Sequence, residues 1–160
     1  MASRIQATGG DLAQVLQQRG GRIVKAINDQ MQLEMKAVQK LAIAYAPVDE
    51  GNLENAIKLS NENRRRTWTV YVDESMPDDT GRYTVGDYAM WLHEGVYELG
   101  PKSEAKNGGS GKVGRKYLER AFQDILNTGA VDRLADMAKQ YVTAQPGCST
   151  DAPRRTPRMA

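Results

Sequence analysis

The chain has 160 residues, of which 40% are hydrophobic, and it carries a formal net charge of +2 and a single cysteine, Cys148. A nearly neutral balance argues against a strongly basic nucleic-acid-binding domain, and one cysteine excludes an internal disulfide and a cysteine-based zinc site. No window approaches the ~20 apolar residues of a membrane span, and the N-terminus lacks the apolar core of a secretory signal, so we expect a soluble protein made in a cytosol.

The first predicted element is a long helix. Residues 1–10 are polar and predict a loose start, Asp11 is a candidate N-cap, and Gly20-Gly21 are expected to break or kink the helix. A helix over residues 21–46 would span roughly 40 Å, which is longer than a domain of this size needs. Either one end of it packs against another subunit, or it lies diagonally across a sheet. Its apolar stripe consists of Ile23, Ile27, Met31, Met35, Val38, Ala42 and Tyr45.

A proline and a glycine mark the joint that follows this helix. Pro47 has no N–H and disfavours helical geometry at the residue before it, so the helix should end there. Residues 49–51 predict a turn, because Asp49 can bond its own backbone and Gly51 tolerates a positive φ. Beyond the turn, apolar and polar residues alternate over residues 53–60, which predicts a half-buried strand.

The strongest strand signal in the chain is Thr67–Val72, with Trp68, Val70 and Val72 on one face. Residues 61–65 would form the hairpin loop before it, and residues 74–86, rich in Pro, Asp and Gly, an exposed loop after it. Residues 88–94 fit a short helix that has Asp87 as its N-cap and ends at Gly95, although a strand fits nearly as well. Residues 96–99 predict a further strand.

Glycine content and helical spacing divide the C-terminal part of the chain. Residues 100–114 are rich in glycine and lysine and have little to bury, which predicts a mobile loop. Apolar stripes predict one helix over residues 117–126 and a last helix over residues 131–142. Together the elements predict an α+β fold: a long N-terminal helix packed on a small antiparallel sheet, with C-terminal helices and flexible termini.

A basic tail follows the predicted single domain, which covers residues 1–145. Residues 146–160 contain three prolines and carry Arg154, Arg155 and Arg158 against Asp151, so the tail accounts for the whole net charge. We expect the tail to be disordered, or ordered by a partner. Cys148 lies within it, either as a free thiol or as a cross-link between two copies.

Patterns that suggest enzymatic sites are incomplete. Gly111-Lys112 lacks the flanks of a phosphate loop, because Lys106 and Val113 occupy the positions of its first glycine and its Ser or Thr. His93-Glu94 lacks the second histidine of a zinc-protease helix, because Tyr97 stands there. Carboxylates alone could supply a magnesium-dependent nuclease, but their spacing matches no motif, so we predict no catalytic residue, cofactor or metal. The carboxylates in question are Asp49, Glu50, Asp78, Asp79, Asp87 and Glu94.

Two basic clusters have the chemistry to contact phosphates. They consist of Arg64, Arg65 and Arg66 in the predicted hairpin loop, and of Lys112, Arg115 and Lys116 near the end of the glycine-rich segment. A solvated surface is the commoner explanation for both.

Three segments resemble a known family. Residues 46–57, A-P-V-D-E-G-N-L-E-N-A-I, resemble the A-P-V-D-T-G-x-L-x-x-S-I signature of tailed-bacteriophage proteins described as minor tail components, tail-completion proteins or neck proteins. Residues 88–95 are similar to the second element of that family, and residues 116–121 to the third, with Lys116 in place of the usual proline. The matching positions are Pro47, Val48, Asp49, Gly51, Leu53, Ile57, Tyr88, Glu94, Gly95, Leu118 and Ala121.

The resemblance covers roughly residues 21–128 and implies a structural protein without enzymatic activity. It implies an α+β subunit of a ring at the head–tail junction of a virion, made in the host bacterial cytoplasm, with six copies preferred over twelve. The implied partners are neighbouring neck, tail-terminator or head-connector proteins, with no membrane. The two basic clusters then become candidates for contact with a partner or transiently with DNA in the channel. The alternatives are a nucleic-acid-binding or nuclease accessory protein and a stand-alone cytosolic adaptor.

Overall fold

The computed structural model describes residues 9–62, 67–109 and 111–143. Helix α1 covers Gly9–Tyr45, and the short helix α2 covers Asn52–Ala56. Strands β1, Ile57–Glu62, and β2, Thr67–Val72, form an antiparallel two-stranded sheet. Helices α3, Gly86–Glu94, α4, Pro101–Asn107, α5, Tyr117–Asn127, and α6, Ala130–Thr143, complete the fold. The predicted α+β class, with a long first helix, a small sheet and C-terminal helices, is confirmed.

Helix α1 is continuous through Gly20 and Gly21, so the predicted break at these residues is wrong. A glycine costs a helix only about 1 kcal/mol relative to alanine, which does not stop a helix that is stabilised by packing further along. The predicted apolar stripe is confirmed: every member is buried or half-buried, and Val38, Ala42 and Tyr45 belong to the core. Helix α1 packs against both strands and against α5 and α6.

The strand predicted from residue 53 begins only at Ile57. Residues 52–56 form α2 instead, because Leu53 and Ala56 are three residues apart and both turn into the core, while Asn55 between them is exposed. The amide of Asn55 donates to the carbonyl of Gly51 at 3.0 Å, which closes the first turn of α2. In the sheet Ile57 pairs with Val72, and the predicted half-buried face of β2 is confirmed.

Residues 74–85 form the predicted loop, held by an isolated bridge between Pro77 and Thr84. The loop is largely exposed, but its last residue, Val85, is fully buried in the core, and Gly86 already belongs to α3. The helical alternative for the next segment is confirmed as α3, but Asp87 is not its N-cap, because its carboxylate accepts from the amide and hydroxyl of Thr84. The strand predicted over residues 96–99 is wrong, since this described segment has no paired neighbour and Val96 is 85% exposed.

The predicted mobile loop over residues 100–114 contains a helix, α4, so that prediction is wrong for residues 101–107. Pro101 stands at the start of α4, where a missing N–H costs nothing. Helices α5 and α6 match the predicted segments. The core lies where α1, α2, β1, α3 and α5 meet; its buried members are Val38, Ala42, Tyr45, Ala46, Leu53, Ala56, Ile57, Val85, Ala89, Tyr117 and Ala121.

Candidate functional site

The three segments that carry the family resemblance meet in this core. Leu53 and Ile57 are buried with Ala121, and Tyr88 and Leu118 pack against them. The matching apolar positions therefore hold α2, β1, α3 and α5 together. These residues share a packing role in the core, and they do not bring polar groups together as a binding site would.

Gly51 and Gly95 have backbone reasons for being glycine. Gly51 has φ of 89° and ψ of 0°, in the left-handed region that residues with a Cβ rarely adopt. Gly95 donates its amide to the carbonyl of Trp91 at 2.7 Å, and a Cβ there would lie 2.4 Å from that oxygen. The preceding matched residue, Glu94, is exposed and contacts His93.

A serine of helix α4 forms hydrogen bonds with the joint between α1 and α2. Ser103 is 3% exposed, and its Oγ accepts from the amide of Val48 at 2.8 Å and donates to the carbonyl of Val48 at 2.9 Å. Pro47 beside it is buried, whereas the Asp49 side chain is 92% exposed and lies 3.4 Å from the ammonium of Lys102. The extended residue Val48 thus has both backbone polar groups satisfied by one side chain.

Lys106 of α4 caps the C-terminal end of α1. Its Nζ donates to the carbonyl oxygens of Ile43 at 2.6 Å and Ala46 at 2.7 Å, and also to the carboxylate of Glu54. All three N–H donors of the ammonium are used. Two of them bind carbonyls at the end of α1, where a positive charge is favourable, and the third binds the carboxylate of Glu54. Lys102, Ser103 and Lys106 together are called the α4 clamp. The sequence gives no local signal for it, because the partners lie about fifty residues earlier in the chain.

A second polar cluster connects the glycine-rich segment to α1 and α5. The hydroxyl of Tyr45 donates to Asp124 Oδ2 at 2.7 Å, and Lys112 Nζ lies 2.9 Å from the same oxygen. The hydrogen bond from Lys112 lowers the pKa of the Asp124 carboxyl below its ordinary value. The amide of Gly114 also donates to the carbonyl of Tyr45 at 2.9 Å. The segment around Lys112 is therefore attached to the body.

Two of the candidate phosphate-binding cations that the structure describes are in ion pairs. Lys112 is in the ion pair with Asp124, and Lys116 lies 3.1 Å from Glu119. Arg115 is exposed. Arg64, Arg65 and Arg66 lie outside the described residues, as does the tail from residue 144 onward.

A groove of about 370 Å³ lies between the joint and α3. We call it the joint groove; its lining includes Asp49, Glu50 and Asp78 together with the aromatic rings of Tyr88 and Trp91. Burial raises the pKa of the Tyr88 hydroxyl, and the nearby carboxylates raise it further. A second groove of about 550 Å³ shares Pro47, Asp49, Trp91 and Leu92 with the first and continues towards α4.

The candidate carboxylates do not form a metal centre within the described part of the chain. Asp49, Glu50 and Asp78 line the joint groove, but no group of three or more His, Cys, Asp or Glu side chains among the described residues is placed to hold a metal ion. The carboxylate of Asp78 instead accepts from the hydroxyl and amide of Thr80.

Large apolar side chains are exposed on several elements of the described structure. Leu33 of α1 is 60% exposed, and Met90 and Trp91 of α3 are 67% and 58% exposed. The sheet has two strands among the described residues. The exposed large apolar residues are Val24, Leu33, Tyr71, Tyr83, Met90, Trp91, Val96, Phe122, Val131 and Tyr141.

Comparison with known proteins gave no similarity: no family model matches the chain, and neither a curated protein nor a solved structure matches it. Among the described residues, none of the helices combines the length and the apolar character that a bilayer crossing requires.

Proposed function

We propose that this chain is a structural virion protein of a tailed bacteriophage, which forms a ring at the head–tail junction and joins the tail to the head. The observation that carries the proposal is the meeting of the three family-like segments in one core, with Leu53, Tyr88 and Ala121 in contact with the same cluster. The role is structural, and the proposal includes no catalytic residue and no cofactor.

The exposed surface supports assembly. A two-stranded sheet is only marginally stable by itself, and an open strand edge is a ready site for pairing with another chain. The apolar side chains Leu33 and Met90 add surface that a subunit contact would remove from water. A closed ring uses two such surfaces on each copy, one for each neighbour. Neighbouring neck, tail-terminator or head-connector proteins would contact the ring from above and below.

The alternative function, a nucleic-acid-binding or nuclease accessory protein, has less support. Nonspecific DNA affinity comes mainly from clustered, available cations. Lys112 and Lys116 are both engaged in ion pairs within the chain. The proposal still includes contact between DNA in a channel and Arg115 or the hairpin arginines. Strong, salt-dependent binding of the purified protein to duplex DNA would instead favour the alternative.

The test of the proposal uses the phage that encodes the chain. A nonsense mutation in its gene should give filled heads and complete tails that fail to join, and the protein expressed from a plasmid should restore joining. Mass spectrometry of purified wild-type virions should detect the protein. Joined, infectious particles without the protein would overturn the proposal.

A further inference from the structure

We propose that the joint groove binds the arginine- and proline-rich segment of this chain's own C-terminal tail, residues 153–158. The groove is an open surface feature of about 370 Å³, and none of the contacts described above fills it. The inference concerns a docking surface within or between copies of the chain. It does not depend on where in a virion, or in what assembly, the protein acts.

The charges of the groove favour a cationic occupant. Glu50 is exposed, and Asp49 is 92% exposed, with the ammonium of Lys102 as its nearby positive partner. Asp78 adds a third carboxylate to the lining. The lining thus carries three carboxylates, of which Asp49 lies beside Lys102 and Asp78 accepts from Thr80. A guanidinium is well suited to such a surface, because it can form two parallel hydrogen bonds to one carboxylate.

The aromatic part of the groove favours a segment that combines arginine with proline. Trp91 is 58% exposed, and its ring stacks on that of Tyr97 with centroids 5.1 Å apart and an interplanar angle of 30°. This pair presents an exposed ring whose orientation is held by its neighbour. Proline-rich segments dock in aromatic-lined grooves, and an arginine stacks on an indole face.

The tail has the matching chemistry and is tethered to the body. Residues 153–158 read P-R-R-T-P-R, and they include all three arginines that give the chain its net positive charge. The last described residue is Thr143. Ten residues lie between it and Arg154, and these eleven steps along the chain span at most roughly 35–40 Å when fully extended. A tether of this length raises the local concentration of the segment around the chain that carries it.

Fluorescence quenching tests the proposal on the full chain. The sequence has two tryptophans, so Trp68→Phe leaves Trp91 as the reporter, while Trp91→Phe leaves Trp68 on the sheet as a matched control. A nitroxide is attached at Thr156→Cys in a Cys148→Ser background, which places it between the arginines. We expect loss of Trp91 emission that recovers when ascorbate reduces the nitroxide, and no such loss for Trp68.

Charge variants make the test specific. Replacing Arg154, Arg155 and Arg158 by Gln should abolish the quenching of Trp91, and so should Glu50→Lys. Glu62→Lys, an exposed reversal at the end of β1, should leave it unchanged. Mixing labelled Trp91→Phe chains with unlabelled Trp68→Phe chains tells whether the tail comes from another copy. Equal quenching of both tryptophans, or quenching that survives the arginine replacements, would overturn the proposal.

Discussion

The backbone of Gly51 determines where α1 can turn into α2. With φ of 89° it lies in a conformation that costs a residue with a Cβ roughly 1–2 kcal/mol. The carbonyl of the same residue accepts the first hydrogen bond of α2. Pro47 and Gly51 therefore act on folding through the shape of the joint, which is the role expected for them from the sequence.

Replacing Gly51 by Val should lower the stability of the protein by at least about 2 kcal/mol, because a β-branched side chain is added to the left-handed strain. Gly20→Ala is the matched control: its φ is ordinary, a Cβ there meets no described atom within 4 Å, and alanine should leave stability unchanged or raise it by up to about 1 kcal/mol. Urea unfolding of both variants measures this. An unchanged urea midpoint for Gly51→Val would show that the joint does not need glycine.

The acid sensitivity of the fold should depend on Glu34. Its carboxylate accepts two hydrogen bonds of 2.7 Å from Arg133 of α6, which lowers the pKa of the Glu34 carboxyl although partial burial raises it. A carboxyl whose pKa is lowered in the folded state stabilises the fold above its unfolded pKa, and this contribution is lost as the pH falls through the folded value.

Glu34→Gln should therefore reduce the urea midpoint at neutral pH and flatten its decline below about pH 4.5. Glu119→Gln is the control, since the pair of Glu119 with Lys116 is largely exposed and contributes little. Urea titrations across the acid range measure both. A Glu34→Gln variant with the wild-type pH dependence would contradict the assignment.

At the scale of elements, α4 is ordered by its contacts with the end of α1. Within the α4 clamp, Lys106 donates to the carbonyl of Ala46 at the end of α1 and to the carboxylate of Glu54 in α2. Ser103 donates to the carbonyl of Val48 in the joint. A segment with little apolar surface is thus held by polar groups that its own composition does not reveal. These polar contacts offset the conformational entropy that is lost when the segment becomes ordered, which is why a helix forms where a mobile loop was predicted.

Lys106→Met should keep the aliphatic stem but leave two helix-end carbonyls and Glu54 without their donor, at a cost of about 2–3 kcal/mol. Lys102→Met removes a mostly exposed contact and should cost under about 1 kcal/mol. Hydrogen exchange should show faster exchange over residues 101–107 in the first variant only. Equal exchange in the two variants would mean that Lys106 does not hold α4.

Local patterns predicted α1, β2, α5 and α6, because their apolar periodicity is long or strong and agrees with the burial found. They failed where three-dimensional contacts decide the conformation. The alternation of Leu53, Asn55 and Ile57 indicated a strand, but Leu53 and Ala56 are both buried, which needs the spacing of a helical turn. Residues 96–99 have a strand-like composition but no paired neighbour in the described structure. At the site, the turn glycine was predicted and the long-range partners Ser103 and Lys106 were not.

At the scale of the whole molecule, the described body combines a modest core with several large apolar side chains that are exposed. Its largest fully buried side chains are Tyr117, Ile57 and Val85, while Trp91, Met90 and Leu33 are more than half exposed. Removing the exposed apolar area from water is favourable by roughly 25 cal/mol per Å². Our account is that neighbouring copies cover Leu33 and Met90 in a closed ring.

The most direct test of this account is the mass of the purified full-length protein across a concentration series, by analytical ultracentrifugation, with negative-stain images of any large species. We predict a closed oligomer with a central hole and, from the preferred copy number, six subunits. Charge introduced by Leu33→Glu or Met90→Glu should dissociate it, whereas Glu104→Lys, a charge reversal at an exposed residue of α4, should not. A protein that stays monomeric at every concentration would contradict the central claim.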